Sequence, residues 1–286
     1  HLRLQNFRCF ENLTLELDPR LTVLVAENGR GKTTLLDAIR IMVWPFVGAF
    51  DLARSGYTDP HNSIAMDDVR LVKLRSGDMS RQLPAELELG FNLDGQRELV
   101  CQRYRTSEAK ATKTKDAGDT PALKAHARTL QELIRQPDAP PQVLPLFGYY
   151  GTGRLWSEKR LLEAVRRKDD SREIDFYVRT FAYQNCLDPA STYKHFREWY
   201  TWAFESFREA QIRELEGAAP GLDLTAARDR VRVVQVAIDA VLREATGWHS
   251  LEYSVSNEKS LVLRHETQGV LKVDQLSDGI RSVLAM

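Results

Sequence analysis

The run VLVAENGRGKTT at residues 23–34 limits what this chain can become more than any other stretch. An apolar segment leads into a loop with two glycines, and Lys32 and Thr33 then open an amphipathic stretch. The order strand, glycine loop, Lys-Thr, helix is that of a phosphate-binding loop, in which backbone N–H groups wrap an anion. Gly31, Lys32 and Thr33 match the G-x-x-x-x-G-K-[ST] pattern, Gly29 adds backbone freedom, and Ala26 replaces the first glycine. That replacement is tolerable where φ stays negative. Residues 21–25 alternate and end apolar, as a buried strand does, and Leu36, Ile39 and Val43 share one face of a helix expected over 33–43. The helix N-terminus adds partial positive charge to the anion site. The competing reading is a glycine turn before an ordinary amphipathic helix.

The flanking residues carry a family resemblance. LRLQNFRCF (2–10) and LTLELD (13–18) read as two strands, followed by the turn Asp18-Pro19-Arg20. A strand ending Asn-Phe-Arg, a second strand, then A-E-N-G-R-G-K-T-T resembles the SMC, RecF and OLD branch of the ATP-binding-cassette ATPases. At the far end, Leu276-Ser277-Asp278-Gly279-Ile280-Arg281 is similar to the L-S-x-G-x-R signature of that group. Without the resemblance it reads as a helix start, with Ser277 or Asp278 able to cap. The implied fold is α/β: an ABC-type P-loop NTPase head with a mixed sheet, an antiparallel β subdomain and a helical insertion.

The resemblance also implies roles. ATP and Mg2+ are the expected cofactors. Lys32 would pair with the β- and γ-phosphates and Thr33 would ligate Mg2+, while Asn28, Gly29, Arg30, Gly31 and Thr34 line the cradle. Arg8 would lie near the phosphates, or else be a plain surface arginine. Ser277 and Gly279 would act on ATP held by another copy, so hydrolysis requires a sandwich dimer or higher oligomer. The magnesium-sensing glutamine stays open between Gln142 and Gln184. An apolar strand ending in Asp-Glu, which such an enzyme needs, is not found in residues 1–286. It is expected a few tens of residues beyond Met286, and the chain is expected to be part of a longer protein.

Composition narrows the classes. Forty basic residues balance forty acidic ones, so any nucleic-acid contact must be a local patch. With 43% hydrophobic residues the chain can bury a sizeable core. Three widely spaced cysteines give neither a disulfide framework nor a metal site, so a reduced, cytoplasmic protein is expected. No apolar stretch reaches membrane-spanning length. The scattered histidines lack partners at ligand or general-base spacing.

Strand-like runs at 69–74, 83–93 and 97–104 suggest the antiparallel subdomain, with a hairpin turn at Asp94-Gly95. Residues 105–122 lack apolar periodicity and read as an exposed loop, made basic by Arg105, Lys110, Lys113 and Lys115. That loop is either solvated surface or a backbone contact for DNA or RNA. The run VLPLFGYYGTGRLW (143–156) reads as a strand feeding a Tyr-Tyr-Gly loop, with Arg154 facing phosphate or the aromatics simply packing at a strand end. Phe196, Tyr200, Ala203 and Phe207, with Trp199 beside them, form a core seam on a long helix. Val234, Ile238, Val241 and Leu242 form a second core stripe, on a helix ending at Gly247. Strands at 251–256, 260–265 and 270–273 lead to the signature turn. The expected divisions are 1–154, 155–247 and 248–286.

The order of these parts is similar to the PtuA family of ATPase subunits in Septu and Septu-like retron anti-phage systems. That likeness implies an HNH nuclease partner controlled by the nucleotide state. A RecF-like DNA-repair ATPase and a non-hydrolysing ATP-dependent scaffold are the alternatives.

Overall fold

The computed structural model describes residues 1–54, 62–93, 97–109, 112–151, 178–184, 186–188, 192–217 and 224–284. They fall into two compact units, 1–149 with 179–187, and the remainder of the chain. Among the described residues no helix is long and apolar enough to cross a membrane.

The first unit is built on an antiparallel sheet in the order β2-β1-β5-β6-β7. Its strands are β1 (Leu2–Phe7), β2 (Phe10–Leu15), β5 (Ala85–Phe91), β6 (Leu99–Arg105) and β7 (Lys115–Gly118), while β3 (Leu71–Lys73) and β4 (Met79–Arg81) form a separate ribbon. Alternation decides which face is buried. Leu2, Leu4, Ala85, Leu87 and Leu89 point into the core, and Arg3, Glu86 and Glu88 point out. Helices α1 (Lys32–Val47) and α3 (Thr120–Ile134) cover the apolar face, and the short α2 (Asp51–Arg54) follows α1. The α1 core face is Leu35, Ala38, Ile41, Met42 and Phe46. Of the expected face, Val43 is buried and Ile39 packs partly buried on the core, whereas Leu36 is 45% exposed and Leu35 takes its place inside.

Two expected strands are absent. Residues 21–25 are extended but unpaired; Leu24 packs on the core while Leu21, Val23 and Val25 stand exposed. Residues 143–148 behave alike, with Leu144 and Phe147 inward and Val143 and Leu146 outward. The side-chain pattern is that of strands, but a strand also needs a neighbour's backbone, and no described strand supplies one. The second segment is propped instead by residues 179–187. Tyr183 donates to the Pro145 carbonyl at 2.7 Å, and the Tyr149 N–H donates to the Cys186 carbonyl at 3.1 Å.

The expected loop at 105–122 is also corrected. It contains β7 and the start of α3, and Arg105 turns inward rather than toward solvent. Its guanidinium donates to the carbonyls of Ser107, Ala109, Thr112 and Ile64, so it organises the loop from inside. Arg103, equally buried, bonds the carbonyls of Ile41 and Asn62 and pairs with Asp116 at 3.0 Å. Lys110, the turn at Asp94-Gly95, Pro220, Gly221 and Arg154 lie outside the described residues.

The second unit packs α4 (Thr192–Leu215) and α5 (Leu224–Thr246) with a three-stranded antiparallel sheet. Its strands are β8 (His249–Ser254), β9 (Ser260–His265) and β10 (Gly269–Lys272), and the last helix is α6 (Asp278–Leu284). The expected aromatic seam is core: Tyr200 and Ala203 are fully enclosed, with Phe196, Trp199 and Phe207 against them. The helices and strands share this one core, so no boundary falls at 247. Tyr200 and Gln235 both donate to the Leu251 carbonyl, and Asp239 accepts the Ser250 N–H where β8 is irregular. Gly247 ends α5 in the left-handed conformation (φ 77), as its position suggests. Val241 departs from the expected stripe: it faces outward at 58% exposure.

Removing the buried Arg103 guanidinium by Arg103→Ala strands two buried carbonyls and leaves Asp116 with Lys124 as its remaining charged partner. Urea denaturation should register a loss of about 3 kcal/mol, whereas the exposed Arg3→Ala should stay within about 0.5 kcal/mol.

Candidate nucleotide-binding site

The phosphate loop is built as its residues require. Gly29 and Gly31 adopt φ 82 and 88, the region where a Cβ is strained, and Ala26 avoids it. Gly31 is also the N-cap of α1, and no side chain caps it. The first N–H groups of α1 therefore point into the loop without intrahelical acceptors. Residues 25–30 are all exposed. At Gly31 a Cβ would meet the Phe10 ring at 2.6 Å and the Cys9 sulfur at 2.8 Å, so the turn between β1 and β2 presses directly on the loop.

Lys32 curls back, its Nζ donating to the carbonyls of Ala26 at 2.5 Å and Glu27 at 2.8 Å. Across the loop mouth Arg30 pairs with Glu27 at 3.1 Å, both side chains solvent-exposed. Thr33 is exposed, as a metal-ligating hydroxyl would need to be, and Asn28 lies on the open loop. Thr34 is buried, so it can offer the cradle only its backbone N–H. A concave, exposed run of amides beside an ammonium fits the triphosphate of a nucleotide, and the Thr33 hydroxyl fits its divalent cation.

Behind the loop lies a charged network that sequence reading did not assemble. Arg8, at φ 48, donates through Nη1 to Asp37 at 2.6 Å and through Nε to Asp68 at 2.7 Å. Burial works against its charge, yet the hydrogen bonds and charges of Asp68 and Asp37 prevail and raise its pKa. The second Asp37 oxygen accepts from the Tyr149 hydroxyl at 2.6 Å. Burial, reinforced by Asp37, pushes that phenol up to about 12. Arg40 lies over the Tyr149 ring at 4.9 Å. Asp37 sits one helical turn after Thr33, so the network fixes α1 directly beneath the loop. Arg8 thus stands near the loop helix, with two of its donor groups committed to carboxylates. An aspartate i+4 from the loop threonine was the available signal, but a lone Asp on a helix has many explanations. Gln142 donates to the Pro140 carbonyl, and Gln184 follows the short helical turn at Arg179–Tyr183, its N–H donating to the Phe181 carbonyl, so neither gains a distinct role.

The signature turn is anchored in the second unit. Leu276 and Leu284 are buried in its core, while Ser277 and Gly279 remain exposed at the start of α6. A Cβ at Gly279 would meet little, so its openness is not a packing requirement. Among the described residues no cluster of His, Cys, Asp and Glu could hold a metal ion by itself.

The family model of an AAA domain matches residues 1–216. The chain is similar to the DNA replication and repair protein RecF of Leptospira interrogans, 54% identical over 44 residues, covering 15% of this chain and 12% of that protein. It is 38% identical over 76 residues to the OLD nuclease of Thermus scotoductus, covering 26% of this chain and 13% of that one. To RecF of Listeria welshimeri it is 33% identical over 97 residues, covering 34% and 24% respectively. The aligned parts span no more than about a quarter of these relatives' length.

Gly31→Ala should cost about 1–2 kcal/mol through φ alone and displace the Phe10 ring. Nucleotide titration should show weaker binding even where circular dichroism confirms a folded chain, and unchanged affinity would contradict the cradle geometry. Because the match covers most of its residues and the loop geometry agrees with it, the chain belongs to the AAA domain family of P-loop proteins.

Proposed function

We propose that this chain is the nucleotide-binding part of an ABC-type ATPase that closes as a dimer around ATP and controls a partner nuclease in bacterial anti-phage defence. The observation that carries the ATPase reading is the open phosphate loop, with left-handed Gly31 at the bare N-terminus of α1 and Lys32 beside it. In this reading Lys32 exchanges its two carbonyl partners for phosphate oxygens, and Arg30 leaves Glu27 to face the same charge. The loop amides of residues 28–34 hold the triphosphate, and Thr33 ligates Mg2+, which neutralises charge developing on the phosphates. Arg8 serves this site from behind, holding α1 through Asp37 and able to turn its remaining N–H groups toward phosphate. Ser277 and Gly279 of a second copy complete the site. Their exposure on a turn tethered by Leu276 and Leu284 supports that role.

The defence reading rests on the order of motifs, from Asn-Phe-Arg through the phosphate loop and Tyr149-Tyr150-Gly151 to Leu-Ser-Asp-Gly. An HNH nuclease is the proposed partner, and a cytoplasmic location goes with it. The similarity to RecF proteins favours a second reading, in which the ATPase grips DNA itself. Against a DNA contact through residues 105–115, Arg105 spends its guanidinium on internal carbonyls. DNA binding that falls steeply with salt would favour the second reading.

Lys32→Ala should remove measurable ATP binding in calorimetry while leaving the fold intact; retained affinity would contradict the assignment. Ser277→Arg should leave ATP affinity within about two-fold, since a change at an exposed residue is close to neutral, while light scattering no longer detects ATP-induced dimers. Equal loss of both would exclude action across two copies.

A further inference from the structure

Helix α5 carries two apolar faces, and among the described residues only one has a partner. Val231 and Leu242 are buried in the core of the second unit, with Val234 and Ile238 beside them. On the other side Val233, Val236 and Val241 are 68%, 60% and 58% exposed, and Ala237 and Ala240 between them are exposed too. An ordinary surface helix keeps charged residues there. Here Asp229 and Arg230 stand before the stripe and Arg243 and Glu244 after it, all exposed, and the one charge alongside it is exposed Arg232, on the Arg243 flank. None of the four makes an ion pair with another described residue. Residues 230, 233, 237, 240 and 244 recur at alternating spacings of three and four, which places them along one seam.

We infer that this face of α5 docks antiparallel on the same face of a second copy of the chain, crossing at Ala237. The charges select that occupant. About a two-fold axis at Ala237, residues equally distant in sequence face each other: Val233 meets Val241, four residues either side, and Arg230 meets Glu244, seven either side. On one flank Arg243, six residues after the axis, falls between Asp229 and Arg232, eight and five before it. Both opposite-charge pairs are repeated by symmetry at the other end, so the interface is self-complementary, as an isologous contact must be. A parallel pairing sets each charge against its own copy and is disfavoured. Small Ala237 and Ala240 let two helix backbones approach closely, and the flanking valines close over the seam. Arg230 is held ready by lying over the Trp202 ring at 5.6 Å. This contact needs no nucleotide, so it is independent of the ATP-dependent closure proposed above and would join such dimers into larger assemblies.

Sedimentation equilibrium of the whole chain without nucleotide should show self-association. Arg230→Glu sets like charges together at both ends and should weaken it about ten-fold, and combining it with Glu244→Arg should restore it. A covalent readout avoids reliance on affinity. With exposed Cys9 changed to serine, Ala237→Cys should give a disulfide-linked dimer under mild copper–phenanthroline oxidation, which removes two electrons and two thiol protons per bond. Val233→Cys alone should not, but together with Val241→Cys it should. A monomer at every concentration, a double exchange that fails to restore association, or equal crosslinking through Val233→Cys alone would each overturn the inference. Because every measurement is made without ATP, these outcomes leave the nucleotide reading to its own tests.

Discussion

Everything proposed for this chain depends on a backbone conformation that only glycine adopts at little cost. Gly31 sits in the left-handed region, caps α1 with no side chain, and lies where the Cys9 and Phe10 side chains leave no room for a Cβ. The consequence is geometric. The chain turns sharply enough to aim the first amides of α1 back into the loop, and the dipole of a 16-residue helix reinforces them. Lys32 and Thr33 then follow at the positions where an ammonium and a hydroxyl meet the same anion and its cation. The contact with Phe10 ties this loop to the edge of the sheet, so the phosphate site is positioned by β1 and β2.

The second support is ionic. Asp37 accepts from Arg8 with one oxygen and from Tyr149 with the other, while Arg8 also reaches Asp68. Four stretches distant in sequence therefore meet one turn below Thr33. A partly buried network of this kind is costly to break, because removing one member leaves its partners desolvated and unpaired. It holds α1 in place one turn into the helix. It also places the start of the Tyr-Tyr-Gly segment against the helix that carries the nucleotide residues, which is a direct mechanical link between them.

Much of the architecture was legible in the sequence because it follows local rules. The loop motif, the alternation of β5, the aromatic seam of α4 and the glycine stop of α5 are each set within a few residues. What failed depended on partners. Residues 21–25 have the side chains of a strand, but pairing is a property of two segments. Arg105 counted as surface charge, although four carbonyls within its own reach capture it. Leu36 and Val241 lie near the border of their helical stripes, where a shift of one residue moves a side chain from core to solvent. The phosphate-loop residues were named from the motif, whereas Asp37 and Asp68 were hidden because their meaning comes from Arg8 and Tyr149.

In the proposed dimer two copies bring two half-sites to one nucleotide, the loop of residues 26–34 from one and the turn of residues 276–279 from the other. Amide hydrogen exchange with and without ATP and Mg2+, recorded over a range of protein concentrations, tests this most directly. Exchange should slow at 26–34 wherever ATP is bound, and at 276–279 only where the chain dimerises. Protection confined to 26–34 at every concentration, or protection at 276–279 in the monomer, would contradict the proposed dimer.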